Sequence, residues 1–229
     1  MTVMDKMPIV TKNLLAINVL MFLASLVASK QGVDLEGLFG LHFFMAEDFY
    51  PFQLVTYMFL HGSLAHLFFN MFALYMFGRA VEQVLGTKRF LIYYFVAGIG
   101  AGLLQEIAQY IFYTAELSSY TSVAVSGGSI IPMAEFLNMW NTVGASGAIY
   151  AILLGFGMSF PNERMFIFPL PFPIKAKFFV IGYAVLELFF GVAGSNDGIA
   201  HFAHLGGMLF GLFLILYWRK KKKIGGPYV

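Results

Sequence analysis

The sequence predicts an all-α membrane protein, a polytopic bundle of six transmembrane helices. Three observations carry that expectation. Of 229 residues, 59% are hydrophobic and only 11% are charged, where soluble chains carry roughly 25% charged residues. Mean hydropathy is +0.77. Six stretches meet or approach the roughly 20 apolar residues that a helix needs to cross a bilayer: Leu14–Ser29, Leu64–Val84, Phe90–Phe112, Ala145–Phe160, Phe178–Val192 and Ala200–Trp218. This composition excludes a disordered chain and argues against a nucleic-acid binder or an ordinary cytosolic enzyme. The absence of Cys excludes disulfides, thiolate metal sites and cysteine nucleophiles.

The length fits one six-span domain over residues 1–229, with a short N-terminal segment (1–12) and a basic tail (219–229). The basic residues orient it. Lys6 and Lys12 precede the first span. Arg79, Lys88 and Arg89 lie at the second connection, and Arg164, Lys175 and Lys177 lie at the fourth. Arg219 and Lys220–Lys223 follow the sixth. Only Lys30, of fourteen basic residues, falls on the opposite side. The positive-inside rule then puts both termini in the cytoplasm. A cleavable leader at the first span is the alternative, disfavoured because the residues before it are poorly basic. The lysine run reads as an orientation signal and a contact for anionic lipid headgroups. The fourth and fifth spans are short and are expected to start inside the membrane. Two outer loops are long. Lys30–Val55 is aromatic and acidic, which suits the headgroup layer; Thr114–Val143 reads as an ordered or partly embedded cover, or else as disorder.

Ionisable and strongly polar side chains are costly in lipid, so each asks for a reason. The second span opens His61-Gly-Ser-Leu-Ala-His66, followed four residues later by Asn70, on the same helix face as His66. The fourth opens Gly144-Ala-Ser146-Gly147. The sixth opens Ala200-His201-Phe-Ala-His204, with Gly207 and Gly211 continuing the His204 stripe. These three spans run the same way, so His66, Ser146 and His204 share one depth in the outer half of the membrane. Small residues let transmembrane backbones approach closely. Gly207 and Gly211 against Gly147, Ala148 and Ala151 can bring His204 Nε2 to Ser146 Oγ, as a serine nucleophile requires of its base. The helix start at Ser146 offers an unpaired amide to an oxyanion; His66 and Asn70 offer side-chain donors. Taken singly, each motif reads as helix packing, and His201 with His204 reads as a metal half-site or as core histidines. Their joint occurrence favours catalysis.

In this combination the residues resemble the rhomboid family of intramembrane serine proteases. The matching motifs are His66-x-x-x-Asn70, Gly144-x-Ser146-Gly147 and His204-x-x-Gly207-x-x-x-Gly211, in order and on the expected spans. The resemblance implies a Ser146–His204 dyad that needs no third carboxylate, with Tyr150 packed on the His204 ring. It implies an oxyanion hole from His66, Asn70 and the Ser146 amide. His61, His201, Gly144, Gly147, Gly207 and Gly211 would support the site, with no cofactor and no metal. Glu82 and Gly86 look like the family's structural pattern after the second span. Where such proteins often carry Trp-Arg in the first loop, this chain has Phe52-Gln53. The resemblance implies transmembrane protein substrates, unwound locally at the scissile bond. It also implies a basic six-span bacterial type in the cytoplasmic (inner) membrane, with the site opening outward. The fifth span, with Phe178, Phe179, Phe189 and Phe190, would be the lateral access side, and Gly191–Gly198 a mobile cap.

Other readings stay open. Glu106 and Glu187 lie within spans. They suit proton coupling in a transporter, or capping and interhelical hydrogen bonding, the preferred role. A catalytically inactive rhomboid-like binder tends to have lost the nucleophile or the base, and here both are present. A metalloprotease is disfavoured because there is no His-Glu-x-x-His and no carboxylate beside His201 or His204 in the sequence.

Overall fold

The computed structural model describes residues 7–125, 127–166, 172–193, 200–221 and 224. Six apolar helices form the bundle. Five are long enough to cross a membrane: Ile9–Lys30, Leu64–Leu85, Thr87–Leu117, Ala176–Ala193 and His201–Lys220. The fourth span, Ser146–Ser159, has only 14 residues, about 21 Å of helix. As expected it is short. The fifth is not: it reaches back to Ala176 and runs 18 residues. The sequence boundary fell late because Lys177 interrupts the apolar run.

The short fourth helix can be short because it is enclosed. It touches the second, third, fifth and sixth spans, and Ala151 and Ile152 are fully buried. Its closest neighbour is the sixth span. A Cβ on Gly207 would lie 1.8 Å from the Gly147 carbonyl oxygen, and one on Gly211 would lie 2.8 Å from the Ala151 Cβ. On the adjacent face, a Cβ on Gly206 would stand 3.0 Å from Gly100 O of the third span. Tyr93 of the third span donates to Ala151 O at 2.6 Å. Lipid-facing positions are the reverse of a soluble surface, with Leu20, Phe69, Ile181 and Phe189 exposed.

The second span widens by a π turn at Leu74–Gly78 and ends at Gly86, whose φ of +75° begins the third span without a linker. Beside it Glu82 is buried. Its carboxylate accepts from the amides of Val10 and Thr11, at 3.0 and 2.8 Å, and from Thr11 Oγ1 at 2.8 Å. A carboxylate is well placed there, because the first amides of the Ile9–Lys30 helix have no partner within it and the dipole is positive. The family-like Glu82 and Gly86 thus tie the first, second and third spans at one end. At that end Arg219 also donates to Met158 O at 2.8 Å.

At the opposite end the two long loops form one ordered layer. Leu41 and His42 pair antiparallel with Thr142 and Asn141. A hairpin, Ser122–Ala124 with Ile130–Pro132, leads into a short helix, Met133–Asn138. Phe43 and Ala46 pack on Met133 and Leu137, and the Phe43 and Trp140 rings lie 5.3 Å apart. His42 bridges Gly37 O and Asn138 O through its two ring nitrogens. Gln53 is fully buried. It accepts from His42 N and Tyr50 N, and donates to Asp48 O and Leu38 O. The loop organiser at this position is an amide with four partners. Glu106 accepts from Phe44 N at 2.7 Å, the capping type of role expected of it. Gly194–Gly198, most of the expected cap, and Lys6, Lys222 and Lys223 lie outside the described residues.

The close approach at Gly207 is testable. Gly207→Ala is expected to lower thermal stability in detergent by about 1–3 kcal/mol, the usual range for overpacking. Gly182→Ala is the control, since nothing lies within 4 Å of its added Cβ. Equal melting points for the two variants would contradict the packing argument.

Candidate active site

The helix contact just described fixes the site. With Gly207 against Gly147, the residue just before Gly147 faces the residue one turn before Gly207. There His204 Nε2 lies 2.8 Å from Ser146 Oγ. Ser146 is the first residue of its helix. Before it, Gly144 adopts φ +132°, and a Cβ there would stand 2.8 Å from His66 Nε2. Only glycine permits both the backbone turn and the His66 ring beside Ser146. The Gly144 amide is held by Tyr57 O at 2.9 Å, so the outer layer sets where this helix starts. Tyr57 is itself pinned, donating to Gly98 O at 2.7 Å.

Tyr150, one turn after Ser146, stacks on the His204 ring. The centroids are 4.1 Å apart and the planes differ by 8°. This is the predicted contact. His66 opens the second span, where Ser63 Oγ caps its amide at 3.1 Å. Asn70 follows one turn on. It is buried, and its Nδ2 has no hydrogen-bond partner among the described residues. A buried amide donor without a partner is costly in a native fold unless something else occupies its place.

His66, Asn70, Ser146, Tyr150 and His204 line one cavity of about 1230 Å³. Its far wall comes from Phe136, Met139 and Trp140 of the cover and from Gln105 of the third span. The long loop before the fourth span therefore shapes the cavity itself. The sequence reading has this loop as a cover; which of its residues reach the cavity was not legible, because its Trp and Met residues carry no catalytic pattern.

The resemblance implies a dyad that needs no third carboxylate, and none lies beside His201 or His204 in the chain. In space, Glu187 of the fifth span meets both. Its Oε2 is 2.6 Å from His201 Nδ1 and 3.0 Å from His204 Nδ1. Tyr150 donates its hydroxyl to Oε1. The three groups gathered by Glu187 come from the fourth and sixth spans, so only the fold reveals the cluster. The interhelical role preferred for Glu187 stands, with the histidines as partners. Glu187, His201 and His204 are also the one group of potential metal-ligating side chains among the described residues.

His61 sits behind His66, with ring centroids 5.0 Å apart, and is 1% exposed. Burial pushes its imidazole down from 6.5 to about 4, and the neighbouring His66 adds to the effect. The fold therefore favours the neutral ring. That contribution is complete above pH 6.5 and is lost as the pH falls toward 4. Thermal midpoints of the detergent-solubilised protein are expected to drop across this window, and less steeply in His61→Gln. Parallel pH curves for the two proteins would refute the assignment.

Residues 48–221 match the Rhomboid domain family. The chain is 33% identical over 161 residues to rhomboid protease GluP of Bacillus subtilis, covering 70% of this chain and 25% of GluP. It is 29% identical over 175 residues to presenilin-associated rhomboid-like protein A, mitochondrial, of Danio rerio, covering 72% and 38% respectively. It is 27% identical over 161 residues to rhomboid protease AarA of Providencia stuartii, covering 69% and 52%. The chain thus spans from a quarter to about half of the length of these relatives. The matched stretch holds every side chain of the cavity described above, and on that extent of match the chain belongs to the rhomboid family.

Proposed function

We propose that this protein is an intramembrane serine endopeptidase that cleaves transmembrane segments of other membrane proteins. The observation that carries the reading is the 2.8 Å contact between His204 Nε2 and Ser146 Oγ at the head of a buried helix, inside a cavity. His204 takes the Ser146 proton as Oγ attacks the scissile carbonyl carbon. The tetrahedral oxyanion is met by the Ser146 amide, Asn70 Nδ2 and His66. Collapse expels the amine, which receives the proton from His204 Nε2, and leaves an acyl-enzyme. Water then enters from the cavity and attacks the acyl carbon as His204 takes its proton; the second tetrahedral intermediate collapses with cleavage of the ester bond to Ser146 Oγ, which regains the proton from His204 Nε2, and the new carboxyl terminus is released. No cofactor or metal takes part in these steps. A helical substrate has its carbonyls hydrogen-bonded internally, so it must unwind near the cleaved bond. This favours segments with helix-weakening and small residues.

The same reading has both termini in the cytoplasm, by the distribution of Lys and Arg, and the cavity on the outer side. Relatives named rhomboid protease in two bacteria support a bacterial cytoplasmic membrane location. The fifth span is the lateral access side. Among its described residues only Ala176, Val180 and Glu187 are buried, so it is the most loosely packed wall. A cross-link joining the second and fifth spans is then expected to block cleavage of a transmembrane substrate. Undiminished cleavage by the cross-linked protein would argue against lateral access there.

The reaction itself is tested with a fluorophosphonate probe on the purified full chain. Ser146 is expected to be the labelled residue, with label lost in Ser146→Ala. His204→Ala is expected to lower kcat on a model transmembrane substrate by about 10²–10⁴-fold. Asn70→Ala is expected to lower it by about 10²-fold, as for loss of one oxyanion donor. Absence of both labelling and cleavage in the wild-type protein sinks the proposal.

A further inference from the structure

We infer that Glu187 is a positioning residue for this reaction: from the fifth span its carboxylate holds His204 with the proton on Nδ1 and the free lone pair on Nε2. The inference rests on the proposed Ser146–His204 chemistry for its kinetic consequence, and on geometry alone for the proton's location.

A neutral imidazole has one donor and one acceptor nitrogen. To take a proton from Ser146, Nε2 must be the acceptor, so the ring proton must sit on Nδ1. In water either nitrogen finds a partner. Here the ring is buried, and Nδ1 lies 3.0 Å from Glu187 Oε2. The contact has the distance of a hydrogen bond but not its alignment, and Nδ1 has no other partner. An ionised carboxylate only accepts, so it favours the Nδ1–H form. The other partners of Glu187 hold the carboxylate in place. Oε1 accepts from Tyr150, whose ring lies flat on His204, and Oε2 lies 2.6 Å from His201 Nδ1.

The role extends through the step. As Ser146 Oγ bonds to the carbonyl carbon, its proton passes to Nε2 and the ring becomes an imidazolium. The Nδ1 proton stays where it is. The negative charge of Glu187 beside it offsets the new positive charge in an apolar surrounding, where an unpaired ion is strongly disfavoured. The Nε2 proton then leaves with the amine, and the ring returns to the Nδ1–H form.

A metal ion is the competing use of the same three side chains. Their donor atoms lie within 4.8 Å of one another. Ligands at about 2.05 Å in a tetrahedral shell stand roughly 3.3 Å apart, whereas Oε2 is 2.6 and 3.0 Å from the two nitrogens. These are spacings of direct hydrogen bonds and ion pairs.

Two measurements test the assignment. The first uses wild-type protein labelled with ¹⁵N-histidine in detergent, with His204 assigned by the signal missing in His204→Gln. Neutral His204 is expected to be protonated at Nδ1; protonation at Nε2 overturns the inference, whatever the protein's activity. The second is kinetic. Glu187→Gln is expected to lower kcat on a transmembrane substrate by about 10–100-fold, with KM within about twofold and fluorophosphonate labelling of Ser146 slowed in parallel. Glu187→Asp restores part of the rate. A Glu187→Gln enzyme with unchanged kcat overturns the inference while leaving the dyad intact. Wild-type protein that neither labels nor cleaves defeats the proposed function, and the tautomer measurement then decides the Glu187–His204 relation by itself. Because that measurement uses wild-type protein, it also decides the matter if Glu187→Gln does not fold.

Discussion

The site depends on the backbone contact between Gly147 and Gly207. In a lipid-exposed bundle no hydrophobic driving force favours one helix pairing over another, so close packing and interhelical hydrogen bonds decide which helices meet. With no side chain on either glycine, the fourth and sixth spans approach until a Cβ on Gly207 would nearly coincide with Gly147 O. At that separation Ser146 and His204 are within one hydrogen bond. Ser146, next to Gly147, and His204, one turn before Gly207, do not need to be selected for mutual attraction; the backbones place them. The same contact explains why a 14-residue helix survives in the middle of the bundle: it is clamped between the third and sixth spans rather than suspended between two interfaces.

The buried polar groups follow a second rule, that charge in an apolar medium must be met. Three carboxylates show it. Glu82 caps the amides of Val10 and Thr11 and joins the first two spans. Glu106 takes the Phe44 amide and holds the first outer loop down on the third span. Glu187 meets Tyr150, His201 and His204. In each case the acid sits on one element and its partners on another, so each works as a tie between elements. Gln53 does the equivalent without charge, satisfying four backbone groups of the outer layer.

This pattern also explains what could be read from the sequence. The helical spans were legible because hydropathy alone specifies them. His66, Asn70, Ser146 and His204 were legible because each is a polar exception at the head of an apolar segment, and three such segments run in one direction. The Tyr150 contact came from the family resemblance, and its spacing of one turn from Ser146 is consistent with it. Glu187 was visible as an exception but its partners were not. It lies fourteen residues from His201, across a reversal of the chain, and 37 from Tyr150. Periodicity relates residues along one helix; it does not say which faces of different helices meet. The pairing of Leu41 with Thr142, and the cover wall at Trp140, were hidden for the same reason.

The fifth span joins these threads. Most of its surface is apolar and exposed, including Phe178, Ile181, Val185 and Phe189, so lipid can solvate it as well as protein does. Ala176 and Val180 hold its first turns, and Glu187 holds it near the other end. A helix moves as a stiff rod over this length. Any outward swing that pivots near Ala176 therefore carries Glu187 away from Tyr150, His201 and His204 together. If substrate enters past the fifth span, as proposed, opening the bundle and orienting the base are opposed states of one element. The span must return before Nδ1 of His204 again faces the Glu187 carboxylate, so in the proposed reaction the base is oriented only in the closed bundle. On that proposal, the binding energy of a well-fitted segment goes into re-forming the site, and induced closure of this kind favours a correct substrate over a poor one.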